Sequence, residues 1–233
     1  MPERAELRIA VVIPTYQAGA TVAVVVARTR AVVPSSCVIV VDDGSVDGTA
    51  ATLATSPAIT LVHDENLGKG AALRDGIRAA IAHGASVVVT VDADGQHPPE
   101  EIPRLVAPII DGRADLVLGT RARSGAMPLG RRLSNWLSAR LASRIGGQAV
   151  SDAQTGFRAF SRAVAERVRP TDARYEYETA FLLGALGAGF RVACVPVPTI
   201  YSGARSHFRP WTDTWRVARV FARYAGRILA GAT

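Results

Sequence analysis

Lysine is almost missing from this chain of 233 residues. Of its 27 basic side chains only Lys69 is a lysine, and the rest are arginines. Cysteine is as sparse. Cys37 and Cys194 both lie in apolar, strand-like runs and are expected to be reduced, buried small residues, which excludes a disulfide-stapled scaffold. Long apolar runs are absent too. The longest uncharged run near the end, Thr179–Phe190, is stopped by Arg191, well short of the roughly 20 residues a membrane-spanning helix needs. The opening Met1–Arg8 is polar and Ile9–Ile13 has only the length of a strand, so no secretory leader is expected. No G-x-G-x-x-G follows the first apolar run and no P-loop occurs, which argues against a dinucleotide-binding Rossmann domain and a P-loop enzyme. Repeats, low-complexity tracts and interdomain linkers are likewise missing. The length then fits one large α/β domain with a full core.

What is present is unevenly distributed. Residues 1–120 carry 9 Lys/Arg against 14 Asp/Glu, a net of −5, and residues 121–233 carry 18 against 6, a net of +12. The acidic half suggests metal ligation and the basic half suggests phosphate or an anionic surface.

Short apolar runs alternate with helical patterns. Strands are expected at Arg8–Thr15, Cys37–Val41, Ile59–His63, Ser86–Val91 and Asp115–Gly119. Helices are expected at Ala20–Arg30, after Asp47, at Ala71–His83 and at Pro99–Ile110. This alternation predicts βαβ units in a mostly parallel sheet. Beyond residue 120 the expectation is a loop at Ser124–Gly130, a helix at Arg131–Ile145 and a turn with a short strand at Ser151–Phe160. A helix at Tyr175–Leu186, a strand at Arg191–Ile200, a loop at Tyr201–Pro210 and a last helix at Trp211–Leu229 follow.

The stretch Ser86–His97, SVVVTVDADGQH, concentrates the chemistry. A buried strand delivers Asp92, Asp94, Gln96 and His97 to its carboxyl end, where open α/β sheets place their ligands. Carboxylates at i and i+2 with a carboxamide at i+4 are hard oxygen ligands suited to Mg²⁺ or Mn²⁺. Taken alone, the same spacing also reads as a solvated turn. The first, second and fourth strands all end in polar or glycine-rich residues and would share one crevice.

Six motifs occur in order: VVIPTYQAG, VIVVDDGSVDGT, ENLGKGAALRDGI, VDADGQHPPEEI, DLVLGTR and SDAQTGFRAF. Together they resemble the family 2 glycosyltransferases, most nearly the branch of dolichyl- and polyprenyl-phosphate mannose and glucose synthases. The resemblance covers about residues 8–210. It implies a GT-A fold over residues 1–210, followed by a basic amphipathic helix over 211–233. It also implies a nucleotide-diphospho-sugar donor, a divalent metal and inversion at the anomeric carbon. Pro14 and Tyr16 would border the base, and Asp42 and Asp43 would meet base or ribose, with Asp43 the binder and Asp42 the cap. Lys69 would stand near the nucleotide, and Asp92, Ala93, Asp94 and Gln96 would form the metal and diphosphate site. Arg121 and Arg205 would meet the diphosphate, with Arg209 beside Arg205, and Asp152 would face the acceptor; Asp94, Arg121 and Asp152 are the catalytic candidates. His97, His207, Glu176 and Glu178 are further possible site residues. One departure stands out: the family often reads P-x-Y-N-E at its first motif, and here Gln17-Ala18 replaces Asn-Glu.

The acceptor decides whether a base is required. A polyprenyl phosphate is already ionised, whereas a sugar hydroxyl needs a carboxylate. Asp152, Glu176 and Glu178 are the acids of the basic half in reach, and no base motif is evident, which favours the lipid phosphate. In the last helix Arg216, Arg219, Arg223 and Arg227 form a stripe beside Trp215, and Arg131, Arg132, Arg140, Arg144 and Trp136 repeat it more weakly. Such helices read as membrane-surface elements. No nucleic-acid fold signature accompanies them. The expectation is a cytoplasmic protein, peripheral at the inner face of the cell membrane. The rival expectations are a hydroxyl acceptor, and a non-catalytic nucleotide-sugar-binding adaptor.

Overall fold

A computed structural model of the chain describes residues 7–34, 36–121, 129–200 and 210–229. The order is β1 (Ile9–Thr15), α1 (Val22–Val32), β2 (Cys37–Asp42), α2 (Thr49–Ala54), β3 (Ile59–Val62), α3 (Lys69–Ala82) and β4 (Val87–Thr90). A 3₁₀ turn (Pro99–Glu101) leads into α4 (Ile102–Ile110), β5 (Leu116–Arg121), α5 (Leu129–Gly146), β6 (Arg158–Ser161) and α6 (Arg162–Arg167). Then come α7 (Glu176–Gly187), β7 (Val192–Val197) and α8 (Pro210–Leu229).

The strands form one seven-stranded sheet in the order β3-β2-β1-β4-β6-β5-β7. Every pairing is parallel except those of β6, which runs antiparallel to both β4 and β5. A sheet covered on both faces explains the uninterrupted apolar runs. Successive side chains alternate between faces. Ala10, Val12, Ile39 and Val41 join the core under α3, while Val11, Ile13, Val38 and Val40 join the core under α1 and α4. Contact between α3 and the sheet is close at Gly76, where a Cβ would overlap Val12 Cγ1.

Because β6 reverses direction twice over, β5 runs the same way as β1, β2 and β4. The carboxyl ends of all four lie along one edge, at Thr15, Asp42, Val91-Asp92 and Arg121. Several local readings change. β5 extends two residues further than expected, so Arg121 closes the strand instead of opening a loop. α3 starts at Lys69, β7 is shorter than expected, and α6 is a helix that the sequence pattern does not announce. Cys37 and Cys194 are free but only half-buried, not buried; partial burial raises the Cys37 thiol above its ordinary pKa.

Candidate active site

At the end of β4 the chain delivers Asp92 against the turn before β6. Thr90 Oγ1 donates to the Gly156 carbonyl at 2.7 Å, and a Cβ at Gly156 would lie 2.5 Å from Asp92 Oδ2. Only glycine admits the carboxylate there. Lys69, first residue of α3, sets its ammonium 2.7 Å from Asp92 Oδ1 and 2.8 Å from Glu178 Oε1 in the first turn of α7. The contact with Glu178 is a charge pair without hydrogen-bond alignment. Burial works to lower the lysine pKa, but the charges of Asp92 and Glu178 outweigh it and hold the ammonium above its ordinary value. Burial likewise works to raise Asp92, yet Lys69, then His97 and Arg121, bring it below the usual carboxylate range. Asp94 shifts the other way, raised by burial and by the neighbouring charge of Asp92, although it accepts from the Gln96 N–H at 2.9 Å.

Arg121 is held by Asp152 in a bidentate pair, Nε to Oδ2 at 2.8 Å and Nη2 to Oδ1 at 3.2 Å. Asp152 also accepts from the Gln154 N–H at 3.1 Å and is buried. Behind this turn the buried Arg158 donates to three carbonyls, Thr155 at 2.7 Å, Ala153 at 3.0 Å and Glu178 at 2.6 Å. That guanidinium ties the 153–156 turn to α7. His97 is buried beside Phe157, with neither ring nitrogen hydrogen-bonded, and burial lowers its pKa.

The two aspartates ending β2 have separate duties. Asp43 accepts from the N–H groups of Leu67 at 2.9 Å and Gly68 at 2.8 Å, and from His63 Nδ1 at 2.7 Å. The second imidazole nitrogen of His63 stands 3.2 Å from Asp75 Oδ2. Asp43 therefore shapes the loop that presents Lys69. Asp42 accepts from the Ser45 N–H at 3.1 Å, as a cap would, but keeps its buried Oδ2 without a partner. Its register partner Thr15 has an unpartnered buried hydroxyl as well. Pro14 lies buried near the end of β1, and Tyr16 begins the turn after it. Gln17 in that turn has φ 54°, a left-handed conformation in which asparagine is far commoner than glutamine.

The structure thus brings Lys69, Asp92, Asp94, His97, Arg121 and Asp152 to one edge. Arg205, His207 and Arg209 lie outside the described residues, as do the side chains of Arg131, Arg132 and Arg227. His63 and Arg158 were not anticipated, and Glu178 was anticipated only as a base. An arginine inside the otherwise apolar Phe157–Phe160 run was the one available signal for Arg158. Among the described residues no group of three or more His, Cys, Asp or Glu gathers around one point. Asp92 and Asp94 still suit a divalent cation of the kind held by one or two carboxylates with substrate phosphates completing the shell. Burial and then the charge of Asp92 raise the Asp94 carboxyl, and Lys69 offsets this only in part.

A family model described as glycosyl transferase family 2 matches residues 10–169. The chain is 34% identical over 203 residues to polyprenol monophosphomannose synthase of Mycolicibacterium smegmatis, covering 82% of this chain and 76% of that protein. It is 32% identical over 204 residues to undecaprenyl-phosphate mannosyltransferase of Micrococcus luteus, covering 82% and 83%. Against UDP-N-acetylglucosamine–dolichyl-phosphate N-acetylglucosaminyltransferase of Methanococcus voltae it is 32% identical over 190 residues, covering 71% and 75%. In three dimensions it resembles glucosyl-3-phosphoglycerate synthase from Mycobacterium tuberculosis, solved with Mn²⁺, UDP and phosphoglyceric acid. There the TM-score is 0.78 at 24% identity, over 95% of this chain and 80% of that one, a likeness of fold.

Proposed function

The chain belongs to glycosyl transferase family 2, a glycosyltransferase of GT-A fold, and from that premise we propose that it moves a hexose from a GDP- or UDP-sugar to a polyprenyl phosphate. The transfer inverts the anomeric carbon and takes place at the inner face of the cytoplasmic membrane. Three relatives whose names specify a polyprenyl-type phosphate acceptor support the acceptor class.

The observation that carries the reading is the arrangement at the strand ends. Two carboxylates at the end of β4 are flanked by a lysine and an arginine, each already oriented by its own counter-charge. Breaking the anomeric C–O bond leaves a nucleoside diphosphate that gathers negative charge, and fixed cations stabilise that charge without reorganising. Arg121, fixed by Asp152, offers its guanidinium to the diphosphate. Lys69 balances Asp92 and keeps the site from repelling an anionic donor. Asp92, Asp94 and Gln96 are the residues that would hold Mg²⁺ or Mn²⁺, which when bound supplies Lewis-acid charge to the diphosphate. Pro14, Tyr16 and the Asp42–Asp43 pair are assigned to base and ribose, with the unpartnered Asp42 Oδ2 as acceptor for a donor group of the nucleoside.

Use of the acids favours an ionised acceptor. Asp152 is committed to Arg121, and Glu178 to Lys69. Neither is spare to deprotonate a hydroxyl, whereas a phosphate needs no base. Glu176 retains a buried oxygen without a hydrogen-bond partner, and, unlike Asp152 and Glu178, it has no ion pair among the described residues. The exposed Trp136, Leu137 and Leu141 of α5 and Trp215 of α8 support attachment to an anionic membrane, with Arg140 and Arg219 lying over the two indoles at 5.6 and 4.7 Å.

The test is incubation with radiolabelled GDP- and UDP-hexoses, a polyprenyl phosphate and Mn²⁺. Label is expected in an acid-labile, organic-extractable product, with Glu176→Gln retaining transfer. Label that reaches only a water-soluble acceptor, and is lost in Glu176→Gln, would establish the hydroxyl-acceptor reading instead.

A further inference from the structure

Residues 171–175 form a strap between α6 and α7 that crosses the first turn of α3. Its backbone sits where side chains would otherwise be. A Cβ at Gly68 would lie 2.5 Å from the Ala173 carbonyl, and one at Gly70 would lie 2.6 Å from the Asp172 carbonyl. The Ala71 N–H donates to that Ala173 carbonyl at 3.1 Å. Arg74 reaches the Thr171 carbonyl at 3.4 Å from the α3 side. The strap continues through Tyr175, whose ring centre is 5.9 Å from the Lys69 ammonium, into α7 and so to Glu178. One short segment therefore fixes both the backbone that carries Lys69 and the carboxylate that faces it.

Among the described residues one ion pair secures the strap from outside. Asp172 Oδ2 accepts from Arg223 Nη2 of α8 at 2.7 Å. Asp172 is mostly buried and Arg223 is about half-exposed. α8 is packed on α7 as well: Val217, Val220 and Phe221 are buried in the core, and Tyr224 lies against Gly184. The strap, bonded to α3 at Ala71 and to α8 at Asp172, is the mechanical link between the helix and the ammonium.

We propose that Asp172 and Arg223 are positioning residues of the donor site: their ion pair seats the strap on α3 and thereby holds Lys69 between Asp92 and Glu178. The basic last helix, besides its outward face, thus sets the geometry of the charge cluster at the strand ends. The proposal takes the donor-site reading above as its premise, but its readout needs no sugar transfer, so the two fail separately.

The chain offers an unusually clean readout, since Lys69 is its only lysine. The full chain is treated with an amine-acylating ester, and acylation of the Lys69 peptide is followed by mass spectrometry, normalised to the amino terminus. Asp172→Asn and Arg223→Gln are expected to label Lys69 about threefold to tenfold faster, the scale on which residues of one ion-pair network couple. Asp172→Glu, which keeps the charge, is expected to return the rate towards that of the parent. Arg28→Gln removes an ion pair of the same kind with Glu100 on the other side of the sheet and serves as the control for general loosening. Arg223 is on the surface, so its variant folds even where a change at Asp172 does not. An unchanged rate in Arg223→Gln, or an equal rise in Arg28→Gln, would overturn the proposal.

Discussion

Lys69 faces two carboxylates that no other described ammonium serves, and its replacement by methionine keeps the length while removing the charge. Asp92 and Glu178 are then left opposed across a partly buried space. Removing one partner of a fully buried pair typically costs ~3–5 kcal/mol, but Lys69 and Asp92 retain 18% and 24% of their side-chain exposure. The expected loss in Lys69→Met is therefore nearer ~1–3 kcal/mol, read from urea unfolding at neutral pH. Sugar transfer should fall roughly 100-fold or more, as when one preorganised charge is taken from a developing anion. The pH dependence follows from opposite shifts in two adjacent aspartates. Asp92 is held below the ordinary range, so its contribution to stability is present above the unfolded carboxylate pKa and is lost as pH falls through the lower folded value. Asp94 is raised by burial and by Asp92, so its ionised form detracts from stability at neutral pH and protonation relieves it. Asp94→Asn should accordingly melt higher than the parent at neutral pH without metal. The gap should close on acidification through the raised pKa, while transfer is lost. A melting point equal to or below the parent at neutral pH would contradict this assignment.

The turn from Asp152 to Phe157, ahead of β6, shows how an element without regular structure is held as firmly as a strand. It is pinned by Thr90 to the Gly156 carbonyl, by Thr155 to the Gly119 carbonyl at 2.8 Å, and by Arg158 to two of its own carbonyls. Gly156→Ala therefore cannot be absorbed by the turn, and the methyl group must displace Asp92. We expect a stability loss of about 1–3 kcal/mol, the usual range for overpacking. Transfer should drop at least tenfold, out of proportion to the stability loss; kinetics on folded protein with intact circular dichroism would check this. Legibility of the chain follows the same division. The alternating βα pattern was readable because β1, β2 and β4 are buried on both faces and α3 and α4 carry a helical apolar spacing. A short strand was legible near β6, but its antiparallel direction is set only by pairing with β4 and β5, and six-residue α6 is too short to show a helical period. Asp92 and Asp94 could be picked out because they share one turn. The partnership of Lys69 with Glu178, more than a hundred positions away, leaves no trace in local spacing. Nor does the diversion of Asp43 to the Leu67–Gly68 backbone: two neighbouring aspartates look alike until the fold gives one of them three donors.

Across the whole molecule the charge asymmetry separates into two working surfaces. The strand ends of the acidic half gather the carboxylates, while α5 and α8 in the basic half are packed against α7 and raise arginines and tryptophans outward. α8 is at once a core helix and a surface element. Val217, Val220 and Phe221 are buried, while Trp215 is 62% exposed with Arg219 over its ring. α5 repeats the arrangement with Trp136, half-exposed, and Arg140. No helix among the described residues is long and apolar enough to cross a bilayer, and the proposed membrane attachment rests on these two faces. An indole seated at the headgroup level with a guanidinium beside it gains from both the apolar interface and the anionic lipid. Each arginine near an anionic surface contributes about 1 kcal/mol, close to a fivefold change in partitioning. Co-sedimentation with phosphatidylglycerol-containing vesicles should therefore exceed that with pure phosphatidylcholine and should weaken as salt is raised. Arg140→Gln and Arg219→Gln should each reduce it about fivefold, and Trp136→Ala with Trp215→Ala should abolish what remains at high salt. Equal sedimentation with both vesicle types, or none with either, would remove the membrane from the proposed function and leave the acceptor to reach the strand ends from solution.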